Sequence, residues 1–178
     1  MIRAVVKTGV LATATLLGLL HTSPADAGQH PAIVSGPISA HATVEITDEN
    51  GRLIPLTAGE QIAVMFTEAI SSLEDGCRRH LNRSCPLDEL VRGATAPNWN
   101  IGKLKYDPST DPNYTYAVIV NGTKWTATAT PKKAGLGGFF YDGSFMSAQR
   151  FYNGTGPAST QSTKFTGVSI SGEIFSKD

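Results

Sequence analysis

The sequence predicts an α+β domain in which an N-terminal helix packs on an antiparallel β-meander. Three observations carry this reading. A capping box and an apolar stripe mark one strong helix after residue 57, and an Asn-Gly pair divides a long β run between residues 114 and 130. The remaining strands follow the helices without the strand-helix alternation that builds a parallel sheet.

The chain has 178 residues, and its first 27 read as a secretory signal peptide. Arg3 and Lys7 precede an apolar run from Thr8 to Leu20. Ser23, Pro24 and the small pair Ala25 and Ala27 then form an Ala-x-Ala cleavage site, which sets the mature start at Gly28. The run holds 13 residues, whereas a spanning helix needs about 20, so no membrane span is expected after cleavage. A secreted or periplasmic location follows, with residues 28–41 as an extended leader of Gly, Pro, His and Ser and residues 42–178 as a single globular domain. Of 15 basic and 15 acidic residues, Arg3, Lys7 and Asp26 leave with the signal, so 13 and 14 remain. No long run of one sign predicts a nucleic-acid partner.

Within the domain, Val44 and Ile46 alternate with polar neighbours, Asn50 and Gly51 supply a turn, and Leu53 follows before Pro55 ends the second strand. Thr57 with Glu60 makes the capping box. Ile62, Met65, Phe66, Ala69, Ile70 and Leu73 then form the buried stripe. Gln61, Thr67, Glu68, Ser71, Ser72 and Glu74 take the other face, and Gly76 is the expected stop. Cys77 and Cys85, with seven residues between them, read as a local disulfide in an oxidising compartment. Pro86 opens a short second helix that Gly93 closes.

The segment from Ala96 through Asn113 reads as loop. Asp107, Asp111 and Asn113 offer oxygens to calcium, yet Asp-Pro with Ser and Asn is also ordinary turn chemistry, and the turn is the preferred reading. Asn121 and Gly122 then predict a type I′ hairpin in which Val120 faces Thr123, Val118 faces Trp125 and Tyr116 faces Ala127. Tyr114, Tyr116, Val118, Val120, Trp125, Ala127 and Ala129 share the face turned to the helix. A further strand runs through Phe139, Phe140 and Tyr141. Residues 153–164 form an exposed loop, and Val168, Ile170 and Ile174 alternate in the last strand.

No motif commits the chain to catalysis, and no cofactor or metal site is expected. His30 and His41 lie in the leader and His80 in the cysteine loop, without a Gly-x-Ser-x-Gly elbow or a His-Glu-x-x-His pair. The glycines at 134–138 lack the Lys-Ser/Thr of a phosphate loop, and adjacent Asp88 and Glu89 do not face each other across a cleft. The aromatic residues Phe139, Phe140, Tyr141, Phe151 and Tyr152 are the candidate contact surface, with strand-core packing as the alternative.

The stretch YTYAVIVNGTKWTATATPKKAGLGGFFYDG resembles the C-terminal sheet of type IV pilin and type II secretion pseudopilin globular domains. The resemblance covers residues 57–152 and implies a helix-then-meander order. An Ala-x-Ala signal and a Gly/Pro leader stand where pilins keep their assembling hydrophobic helix. The resemblance implies a bacterial, exported, non-enzymatic protein acting through an unidentified protein partner in a surface, secretion or adhesion system. Self-association is left open, including a leader, His30 to Ala40, that adds as a strand to a neighbouring subunit. A small secreted hydrolase or enzyme inhibitor is the alternative, and it requires His80, Asp107 or Asp111 to converge with a hydroxyl.

Overall fold

The computed structural model describes residues 43–104, 107–144 and 147–171. The predicted signal and leader, Ala42 and the strand position of Ile174 lie outside them. The chain opens with β1 (Thr43–Asp48) and β2 (Leu53–Ile54), followed by α1 (Ala58–Leu81) and α2 (Leu87–Arg92). A short ribbon, β3 (Ala94–Ala96) and β4 (Trp99–Gly102), and a 3-10 turn at Pro108–Thr110 lead into β5 (Tyr114–Asn121) and β6 (Lys124–Pro131). The chain then runs through β7 (Gly138–Asp142), β8 (Gln149–Asn153) and β9 (Thr163–Ser171).

The helix-first, pilin-like arrangement is overturned. Seven strands form one antiparallel sheet in the order β2-β1-β9-β8-β7-β6-β5, so two strands precede α1 in the chain. The first long strand closes against the last, pairing Val44 with Ile170 and Ile46 with Val168. Both pairs are apolar on the helix side, and uniting them buries Val44 and Ile46 almost completely. That burial is a long-range gain that no local pattern announces.

Helix α1 begins as its capping box requires. The Glu60 N–H donates to Thr57 Oγ1, and the Thr57 N–H donates to the Glu60 carboxylate at 2.7 Å. The helix does not stop at Gly76 but runs to Leu81, and Asn82 caps it in the left-handed region at φ 54°. Gly76 serves packing instead, because a Cβ there would lie 2.8 Å from Ile101 Cγ2 on β4. The buried face also differs from the apolar stripe. Glu60, Thr67 and Glu74 are buried, while Ile62 and Met65 are only half-buried. The Thr67 hydroxyl donates to the Ala63 carbonyl at 2.8 Å, so this polar side chain enters the core satisfied.

The β5–β6 register is also corrected. Asn121 pairs with Lys124, Val120 with Trp125, and Val118 with Ala127. The turn residues are thus Gly122 and Thr123 rather than Asn121 and Gly122. Only Gly122 takes positive φ, which suits a turn with glycine at its first central position. Its carbonyl accepts the Ser84 N–H at 2.8 Å, docking the hairpin tip on the chain beyond α1. A slip of two residues keeps the alternation, so the same side chains still face the helix.

Cys77, inside the last turns of α1, is bridged to Cys85 across a Cα separation of 6.1 Å. A loop this short contributes about 2.5 kcal/mol in the chain-entropy account. Reduction is expected to lower the thermal midpoint by roughly 8 °C. Calorimetry with and without reductant measures this, and an unchanged midpoint would show that the loop stays native without its staple.

Candidate functional site

The five aromatic residues of the predicted contact surface divide between two faces of the sheet. Phe139 and Tyr141 are fully buried against the helix side, and Tyr152 joins Phe139 there with ring centroids 5.1 Å apart. Phe140 and Phe151 pair on the opposite face at 6.0 Å, and Phe151 is only 7% exposed. They do not make one exposed patch.

Three helix carboxylates tie α1 to what it covers. Glu60 accepts the Gly137 N–H at 2.7 Å and the Tyr152 hydroxyl at 3.0 Å. Burial raises its pKa, but the hydrogen bonds from Thr57, Gly137 and Tyr152 outweigh that and hold it below the usual range. Burial and the neighbouring Glu60 push the Tyr152 phenol up to about 12. Glu68 accepts the Tyr141 hydroxyl at 2.9 Å and both Arg150 Nε and Nη2, at 2.5 and 3.0 Å. Glu74, the third, accepts the Cys85 N–H. The Glu60–Tyr152 pair is held as carboxylate and phenol around neutral pH, which makes it a tether and not a proton relay.

The three residues named for a hydrolase each have local partners. His80 stacks on Trp99, and the Asp107 carboxylate accepts the Ser109 N–H at 2.9 Å. Asp111 is buried and accepts from the Asn113 and Tyr114 N–H groups and the Tyr116 hydroxyl. The Asn113 side-chain oxygen accepts from Lys133 Nζ at 2.9 Å. The oxygens considered for calcium thus organise the turn before β5. Among the described residues no group of three or more His, Cys, Asp or Glu is placed to hold a metal.

The candidate contact site lies at the disulfide end of α1. Ala96 pairs with Trp99 across Pro97 and Asn98, so the first part of the segment read as loop is a tight ribbon. Ile101 seats it against Gly76 of the helix. Trp99 remains 47% exposed, and its indole stacks on the His80 ring at 4.5 Å with 12° between planes. The surrounding segments are tied together by hydrogen bonds and an ion pair. Leu104 N–H donates to Leu90 O at 2.7 Å, Leu90 is fully buried, and Arg83 grips Glu89 through two bonds of 2.8 and 2.7 Å. The hydrogen bond from Arg83 holds the Glu89 carboxyl below its usual range. The signal that could have found this site is Pro97-Asn98 before Trp99, a turn pair between short β runs.

A second concavity, of about 480 Å³, lies between the β1–β2 turn and the loop before β9. It is lined by paired charges: Asp48 with Arg52 at 2.8 Å and Glu49 with Lys164 at 3.2 Å. Among the described residues no helix is long and apolar enough to cross a membrane. Compared with family models, with curated proteins and with solved structures, the chain matches none of them.

Proposed function

We propose that the chain is an exported protein that works by surface contact, in a cell-surface, secretion or adhesion system, with Trp99 at the centre of the contact. The observation that carries this is the Trp99–His80 stack, half exposed on a ribbon fixed to a disulfide-stapled helix. A large ring held rigidly at the surface loses little conformational freedom on binding, which is why tryptophan dominates binding hot spots. The Arg3-to-Ala27 pattern and the oxidised cysteines support export.

The test expresses the full chain in its own host. The extracytoplasmic fractions are expected to contain a chain starting at Gly28, whose mass rises by about 2 Da on reduction. Trp99→Ala is expected to lower retention on the cell surface about tenfold without moving the thermal midpoint. An uncleaved chain kept inside the cell would overturn export, and unchanged retention of W99A would overturn the contact assignment.

A further inference from the structure

Strand β5 ends the seven-stranded sheet, and among the described residues no strand pairs with its outer edge. Asn121 and Lys124 flank a two-residue turn, so they form a hydrogen-bonded pair, and the antiparallel ladder repeats this at Ile119, Ala117 and Thr115. The N–H and C=O groups of Val118 and Val120 therefore point away from β6. The far end of the strand agrees: Lys132 N–H donates to Asn113 O, while Tyr114 N–H turns outward to the Asp111 carboxylate.

Sheet proteins protect such edges with charge, proline or short length. β5 has eight residues, YTYAVIVN, with no charged residue and no proline, and its Ile119 is 70% exposed. Beside it runs a groove of about 590 Å³ lined by Pro86, Leu87, Val91, Pro108 and Val118. The charges at its margin, Asp88 and Arg92, neutralise each other at 2.8 Å. The site therefore suits an extended, uncharged, apolar segment that adds a strand and sets alternate side chains in the groove.

We propose that this edge receives residues 32–38 of a second copy of the chain. The fifteen residues before β1, GQHPAIVSGPISAHA, contain no Asp, Glu, Lys or Arg, and in an extended strand Val34 and Ile38, four residues apart, share the face that would enter the groove. The strand that follows them, β1, stands five positions from β5, about 24 Å at the usual strand spacing. β1 and β5 lie towards opposite edges of one sheet, so a leader that reaches the β5 edge of the next copy gives the head-to-tail arrangement in which copies join in a row. The proposal goes beyond the contact reading at Trp99, and it rests on the export part of that reading because cleavage before Gly28 frees the leader.

The test uses purified chain starting at Gly28, so its outcome is independent of export. In sedimentation velocity this chain is expected to form oligomers that grow with concentration, while a chain starting at Ala42 and the variant Val120→Pro stay monomeric. Proline at Val120 removes only an outward donor, which an edge strand tolerates. A peptide of residues 28–42 is expected to bind the shortened chain, and the same peptide with Val34→Pro to bind at least about tenfold more weakly. Should V120P fail to fold, Val34→Pro in the long chain removes the same pairing with the sheet untouched. A monomeric long chain overturns the proposal, and so do oligomers that persist without the leader. Peptide binding without assembly of the long chain would mean that each leader folds onto its own sheet, which also overturns it.

Discussion

Glu74→Gln is expected to flatten the pH dependence of stability between about pH 4.5 and 7 and to make the protein more stable than the parent at pH 8. Glu74 has no solvent exposure, and its carboxylate accepts the Cys85 N–H at 3.1 and 3.2 Å. Burial pushes its pKa up to about 7, against the opposing pull of the Cys85 N–H and of nearby Arg78 and Arg83. The folded pKa lies above the unfolded one, so the folded state holds the proton more tightly. The contribution is therefore complete below pH 4.5 and is lost as pH rises through 7. The gap is worth about 3 kcal/mol. Glutamine keeps an oxygen for the Cys85 N–H and carries no charge to desolvate. Thermal midpoints of both proteins from pH 4 to 8 measure the effect, and an unchanged slope in E74Q would assign the titration to another group.

The acid side has the opposite sign. Glu60 and Glu89 are held below their usual range by the bonds they accept, so their contribution is present above pH 4.5 and lost below it. Together these opposing effects are expected to put the stability maximum at about pH 5. The alkaline limb follows from one buried carboxylate beside the disulfide.

Glu74 also shows where the sequence stops being readable. It sits among polar residues that a stripe-based reading assigns to solvent, and nothing local reveals that the chain beyond Cys85 returns to cover it. Gly76 misleads for a related reason: a glycine four residues after Ser72 reads as a stop until Ile101 is seen against it. Signals complete within a few residues were legible. Thr57 with Glu60 set the helix start, Cys77 and Cys85 formed the staple, and the alternation from Tyr114 to Ala129 chose the helix-facing side chains. The pairing of β1 with β9 joins residues more than a hundred positions apart, so its logic appears only once both apolar edges are placed side by side. Trp99 was readable in principle from Pro97-Asn98, but a two-residue turn between strands this short gives little periodicity to recognise.

The neighbours Phe139 and Phe140 give the sharpest test of which face of the sheet carries the core. Phe139 has no exposure, packs against Tyr152 and Phe165, and stands opposite Ala129 on β6. Phe140, one residue on, faces the other side, half-buried beside Phe151. Phe139→Ala is expected to cost about 4 kcal/mol, because it removes a whole ring and its cross-strand partner is a methyl group that cannot fill the space. Phe140→Ala is expected to cost about 1 kcal/mol, since part of that ring already meets water. Urea unfolding of the two variants should therefore separate them by roughly 3 kcal/mol with similar m-values. Equal losses would mean that the β8–β9 loop seals the outer face as tightly as α1 seals the inner one, making both faces core.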